Sequence, residues 1–151
     1  MENKDFTTHC GLYCKLCANY SRISQISHRL RDILLKEGYD YFGEYIYPEY
    51  KDFRKVLDQM ADRDPNNSRC FGGCGNPECR IRECAKAKGL EYCAFCDNFP
   101  CENFTEGFLK TYPCLIANNK RIKEIGIDAW IIEQEENFVS KDYSYNDDKS
   151  L

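Results

Sequence analysis

Residues 70–101 read CFGGCGNPECRIRECAKAKGLEYCAFCDNFPC, and seven of the chain's eleven cysteines lie within them. These are Cys70, Cys74, Cys79, Cys84, Cys93, Cys96 and Cys101. Cys10, Cys14 and Cys17 form a second group near the N-terminus, and Cys114 stands alone. Such density points to disulfides, to a metal or to thiol chemistry. The start, MENKDFTTHC, is polar and lacks the apolar core of a signal peptide. No apolar run approaches the length of a membrane span. The expected compartment is therefore the cytoplasm, where thiols stay reduced. An odd cysteine count also leaves at least one without a partner in the chain. Metal is the expected cause of the density.

Spacing narrows the choice of metal. Cys93-x2-Cys96 and Cys14-x2-Cys17 match the knuckle turn that points two sulfurs at one zinc ion. Cys70-x3-Cys74 encloses Gly72 and Gly73, and glycine there lets backbone amides turn inward towards sulfur. Pro100 stiffens the approach to Cys101. If residues 79–84 are helical, Cys79 and Cys84 lie about 140° apart round the axis. They can then share an ion only if Cys79 precedes the first turn. Paired C-x2-C and C-x3-C elements suit tetrahedral tetrathiolate zinc sites, and no ferredoxin-like C-x2-C-x2-C run occurs.

The expected cofactor is Zn2+, with two ions. The expected centres are Cys70, Cys74, Cys93 and Cys96 in one, and Cys10, Cys14, Cys17 and Cys101 in the other. Cys79 and Cys84 are the substitutes for Cys101 or Cys70. The alternative cofactor is [4Fe–4S]. Cys10-x3-Cys14-x2-Cys17 is also the cluster motif of radical S-adenosylmethionine enzymes, but the chain is too short for their barrel and lacks its alternating strands and helices. Arg80 and Arg82 are candidates to stabilise an anionic thiolate centre. His9, beside Cys10, is read as an exposed histidine in preference to a ligand, and His28 as a surface residue.

Outward from the cysteines the pattern is helical. Ile23, Ile26, Leu30, Ile33 and Leu34 recur at helical spacing over about Ser21 to Glu37, with Gly38 as the stop. Phe53, Val56, Leu57 and Met60 give a second amphipathic helix that ends before Asp64-Pro65. The intervening run from Tyr39 to Tyr50 is rich in aromatic rings. It is read as a loop whose rings pack on the helices, in preference to an aromatic binding surface. Gly89 ends a short helix through ECAKAK, and Phe104, Phe108, Leu109 and Tyr112 form a stripe ending near Pro113. Cys114 is read as a small buried hydrophobe. Ala117 to Ile125 is a further helix, stopped at Gly126, and Asp128 caps the last one, which carries Trp130, Ile131 and Phe138.

The expected fold is mainly α: one small helical domain over residues 1–139, with a cysteine-rich, zinc-organised loop lobe at about 68–101. Residues 10–17 join that lobe, and the polar residues 140–151 form a frayed tail. The chain has 151 residues, a formal net charge of −4 and a pI near 5.3. Two tetrathiolate zinc centres would move the balance to about −8. That argues against nucleic acid and anionic membranes as partners. Five basic and two acidic side chains fall between residues 69 and 90, but bound thiolates would offset that excess.

The combination of CGLYCKLC at Cys10 to Cys17, C-x-I-R-x-C-A-x-x-K-G at Cys79 to Gly89 and CAFCDNFPC at Cys93 to Cys101 resembles a cysteine-rich family catalogued as "domain of unknown function 3795". The stretch IGIDAWIIEQEENF, with Gly126, Trp130, Gln134 and Glu135, is similar to that family's closing helix. One departure is the spacing Cys70-x3-Cys74, where members often carry C-x2-C. The resemblance implies a metal-binding protein and no particular reaction.

The leading functional expectation is a structural-zinc protein whose partner is another protein. The alternatives are a thiol-dependent enzyme or redox protein using Cys79 or Cys84 beside Arg80 and Arg82, and an iron–sulfur carrier. No Ser/His/Asp arrangement, phosphate-binding glycine loop or HExxH occurs, and His9 and His28 are the only histidines. Whether the chain is an enzyme is left open by the sequence.

Overall fold

A computed structural model describes residues 2–72, 74, 76–106, 112 and 114–141. Among them the regular structure is helical, and the only strand-like feature is an isolated antiparallel bridge between Thr7 and Tyr13. The helices are α1 (Ala18–Ser21), α2 (Ile23–Lys36), α3 (Tyr39–Ile46), α4 (Tyr50–Ala61), α5 (Arg80–Ala87), α6 (Glu102–Thr105), α7 (Cys114–Ile125) and α8 (Ile127–Lys141). Short 3-10 turns lie at Asn3–Phe6, Cys14–Leu16, Pro65–Ser68, Cys70–Gly72 and Cys93–Phe95. Phe108 and Leu109, and residues 142–151 of the expected tail, lie outside the described residues. Among the described residues no helix is long and apolar enough to cross a membrane.

The helix ends follow local chemistry. α2 stops where Gly38 takes φ +78, a conformation open to glycine without a Cβ clash. Gly126, at φ +84, separates α7 from α8 in the same way. After α4, the Asp64 carboxylate accepts the amide of Asn66 at 2.9 Å and starts the turn that leads to the cysteines.

α2, α3 and α4 pack on one another through only part of the apolar stripe expected of α2: Ile23 and Leu34 are half-buried, and Leu34 lines a cavity with Tyr50 and Phe53 of α4. α4 buries Tyr50, Leu57 and Ala61, and small residues of α2 also enter the contact. Ser27 is buried, and the Ser24 hydroxyl donates to the carbonyl of buried Ala61 at 2.8 Å. Arg31 bridges to Asp62 at 2.8 Å and to Asp58 at 3.5 Å. Ile26 and Ile33, two other members of the stripe, stay 59% and 57% exposed. Residues 39–46 form helix α3 where the sequence suggested a loop, and Tyr41 and Tyr45 point fully into solvent.

The core lies elsewhere and is assembled from distant parts of the chain. Phe6, Tyr13, Cys14 and Leu16 from the N-terminal segment meet Cys70, Tyr92 and Ala94, and are closed over by Ile122, Trp130 and Ile131. Trp130 stands edge-on to Tyr13 with ring centroids 6.0 Å apart, the arrangement aromatic quadrupoles favour. A second cluster joins Cys10, Ile81, Phe104 and Leu115. Both clusters include cysteine, so the sulfur-bearing turns are set by the same packing that closes the core.

Candidate metal centre

Two turns in this chain are built alike. In Tyr13-Cys14-Lys15-Leu16-Cys17, the amide of Cys17 donates to the carbonyl of Cys14 at 3.0 Å, and that of Leu16 to Tyr13 at 3.0 Å. In Tyr92-Cys93-Ala94-Phe95-Cys96, Cys96 donates to Cys93 at 3.0 Å and Phe95 to Tyr92 at 3.2 Å. Each turn starts from a buried tyrosine, Tyr13 or Tyr92, that anchors it in the core. The backbone leaves each turn in nearly the same conformation, φ −82 and ψ 127 at Cys17 against −81 and 132 at Cys96. A C-x2-C segment folded this way brings two sulfurs to one side.

Each turn meets further thiols from elsewhere in the chain. Cys14 lies within electrostatic reach of Cys70, Cys17 and Cys74, and its sulfur accepts the amide of Cys70. Cys93 is close in the same sense to Cys101, Cys96 and Cys84. Cys84, Cys93, Cys96 and Cys101 line one cavity of about 20 Å3, walled by Ile81, Phe99 and Phe104. Cys10 and Cys79 stand between the groups: Cys10 neighbours Cys70 and Cys79, and Cys79 also neighbours Cys93.

Spacing alone groups Cys93 and Cys96 with Cys70 and Cys74, and Cys101 with the N-terminal cysteines. The structure gathers Cys101 and Cys84 round the Cys93 turn, and Cys70 and Cys74 round the Cys14 turn. Cys79 precedes the first turn of α5 and Cys84 lies inside that helix, yet the two are not drawn to one turn to the same degree: only Cys84 lines the small cavity.

Cationic donors reach both groups. Arg82 is 6% exposed, donates from Nη2 to Cys74 Sγ at 3.3 Å and also hydrogen-bonds Cys70. Its second anchor is the carbonyl of Asn76 at 3.0 Å. Lys88 Nζ donates to Cys96 Sγ at 3.5 Å. Arg82 thus takes the position beside sulfur that the sequence suggests for it. Arg80 is exposed, and Lys88 is a donor that spacing does not single out. Guanidinium and ammonium donors on sulfur are what an anionic thiolate centre requires of its surroundings.

Without a metal ion, four of these thiols favour the protonated form. Burial, first of all, pushes Cys10, Cys14 and Cys93 up to about 12, and raises Cys70. At these four positions that is opposite to what a nucleophilic cysteine needs. The eleven cysteines are all thiols, with no disulfide among them. Among the described residues no three His, Cys, Asp or Glu donors are drawn together tightly enough to form a ready-made metal site. The donor set fits a soft divalent ion by its chemistry, through sulfur ligands, N–H···S contacts and adjacent cations.

The histidines and the remaining cysteine fall as follows. His9 is buried, 5% exposed, rather than solvated as expected. Its Nδ1 donates to the carbonyl of Glu91 at 2.7 Å, and the ring stands edge-on to Phe71 with centroids 4.8 Å apart. Nε2 has no hydrogen-bond partner among the described residues. His28 is on the surface beside Arg31. Cys114 is half-buried at the edge of the first core cluster. Sequence reasoning misses Asn118 and Asn119, which hold the Gly11 and Cys10 carbonyls at 2.8 and 2.7 Å. Their only signal is a pair of amides within an otherwise amphipathic helix.

No curated protein sequence and no solved structure matches the chain. A family profile does match, over residues 6–106, which takes in both C-x2-C turns and the thiols around them. The chain therefore belongs to the family described as Protein of unknown function (DUF3795).

Proposed function

We propose that this chain is a zinc-binding protein whose ions are structural. Cys14, Cys17, Cys70 and Cys74 hold one ion, and Cys84, Cys93, Cys96 and Cys101 hold the other. The observation that carries this reading is the small cavity lined by Cys84, Cys93, Cys96 and Cys101, next to a lysine that already donates to one of the sulfurs. The matching turn at Cys14 to Cys17, with Arg82 on its thiol partners, supports an equivalent second centre. Tetrathiolate sites leave zinc no open position for substrate, so their contribution is folding free energy, of order 10 kcal/mol per site in small peptides. The output is then binding rather than turnover, with another protein as the partner.

The iron–sulfur reading draws on the same thiols, since a [4Fe–4S] cluster also takes four cysteines. Two zinc ions take eight thiols, and Cys10 and Cys79 are two more standing between the groups. One experiment separates the readings. The protein is purified without oxygen, its metals are counted, and its near-ultraviolet circular dichroism is followed while a chelator is added. Two zinc ions per chain, no colour and loss of tertiary signal on chelation are expected. Brown protein absorbing near 400 nm would replace zinc by a cluster. Metal-free protein with its full tertiary signal would end the structural-metal proposal.

A further inference from the structure

A larger cavity lies remote from the cysteine groups, among α2, α3 and α4. It has a volume of about 310 Å3 and is lined by Leu34, Tyr39, Tyr47, Glu49, Tyr50 and Phe53. Four of those six residues present aromatic rings. Tyr39 and Tyr50 have centroids 5.9 Å apart at 39°, and Tyr50 and Phe53 are 6.2 Å apart at 47°, so the rings form tilted walls rather than a stack.

The floor is fixed. Tyr50 is 5% exposed, and its hydroxyl donates to Asp40 at 3.0 Å. Asp40 is held in turn by Arg54 at 2.9 Å. Gly43 makes room for the ring: a Cβ there would sit 2.7 Å from Tyr50 carbons. Tyr47 and Glu49 stand exposed at the mouth. The Glu49 carboxylate makes no ion pair or hydrogen bond among the described residues.

We propose that this cavity binds a trimethylammonium group. Aromatic faces attract a cation through the ring quadrupole, and a carboxylate at the rim adds charge of the right sign. The walls offer few hydrogen-bond acceptors. A primary ammonium or a guanidinium would leave its N–H groups unsatisfied on entry, whereas a methylated ammonium has none to satisfy. The preset floor keeps the ordering cost of binding low. The net charge of −4 also favours cationic ligands. The group can reach the cavity on a free small molecule or on a trimethylated lysine. This site does not depend on the metal reading.

The test titrates the full-length protein by calorimetry and by tyrosine ring NMR. The four probes are choline, its neutral isostere 3,3-dimethylbutan-1-ol, a blocked trimethyllysine and the same blocked lysine unmethylated. Choline and trimethyllysine are expected to shift the cage rings and to bind roughly tenfold more tightly than the isostere and the unmethylated lysine. Tyr47→Ala and Glu49→Gln, both exposed positions, should each weaken binding several-fold while circular dichroism and metal content stay unchanged. The tighter of the two methylated probes identifies the source. Equal binding of the neutral isostere or of unmethylated lysine, unshifted cage rings, or unaltered affinity in both variants overturns the proposal.

Discussion

Asn119 donates from Nδ2 to the carbonyl of Cys10 at 2.7 Å, from a position with no solvent exposure. The same amide reaches its own helix at the Leu115 carbonyl, 2.8 Å away. One side chain thus ties α7 to the loop that carries the N-terminal cysteines. Asn119→Ala leaves a buried carbonyl without its donor, a loss of about 1–3 kcal/mol. Gly11→Ala strikes the same contact from the other side. Its Cβ would lie 2.5 Å from Asn119 Nδ2, at φ +85. Both variants should lower the urea midpoint of the metal-loaded protein. Midpoints equal to that of the unaltered chain would show that the loop is held by other means.

Arg82 offers a test of charge rather than packing. It is buried against Cys70 and Cys74, where thiolates would accumulate on metal binding. Arg82→Met keeps much of the volume and removes the cation. Apparent zinc affinity at one site should fall about 10- to 100-fold, as for other residues that support metal ligands. Arg82→Lys should recover part of it, because a point charge remains without the planar fork. Competition with a chromophoric chelator measures both. Undiminished affinity in Arg82→Met would mean that the guanidinium serves only the Asn76 turn.

The two groups of thiols can be counted separately. Cys14→Ser and Cys84→Ser should each lower bound zinc by one equivalent, and the two together by two. Cys79→Ser should leave the count unchanged, since that thiol lies between the groups. Elemental analysis of each variant gives the answer. A shared loss of both ions from any single change would indicate one connected cluster instead of two centres.

Much of this was legible because short-range chemistry decided it. Gly38 and Asp64-Pro65 mark real helix limits, since φ > 0 and the missing proline N–H act locally. C-x2-C spacing identified the turns for the same reason. The partners of each turn were not legible. Whether Cys101 joins Cys93 or Cys10 depends on the path of loops between helices, and no local rule fixes that path. The α2 stripe misled for a related cause. Periodicity identifies an apolar face, but not how much of it a neighbour covers: Ile26 and Ile33 stay exposed while Ser27 is buried. His9 is buried because its backbone meets that of Cys93, far along the chain, at 2.9 Å, a pairing invisible in composition.

Alkaline titration should follow the buried phenols. Burial, then the nearby Glu91 charge set against a Thr7 hydrogen bond, leaves Tyr92 raised from 10.0 to about 12. Burial and its hydrogen bond to Glu135 push Tyr13 up further. A folded value above the unfolded one means that the native state retains the proton longer. The contribution to stability is therefore full below pH 10 and is lost as pH rises through 12. Absorbance at 295 nm should show a late phase from these two rings that coincides with unfolding. A single phase complete before any loss of tertiary signal would place both rings in contact with solvent.

The family match ends at residue 106, yet the core does not. α7 and α8 lie beyond it and supply Ile122, Trp130 and Ile131 to the cluster that holds Tyr13, Cys14 and Tyr92. Glu135 reaches back from α8 to Lys15 at 2.7 Å, inside the Cys14–Cys17 turn. A chain ending at Glu106 would expose that apolar face and free the turn from one side. It should bind hydrophobic dye and lose cooperative unfolding, even where isolated C-x2-C turns still capture zinc. The milder Trp130→Ala should cost about 3–5 kcal/mol, as expected for emptying a large buried site. Denaturant titration measures both. A shortened chain with the midpoint of the full one would make α7 and α8 accessories to a unit complete without them.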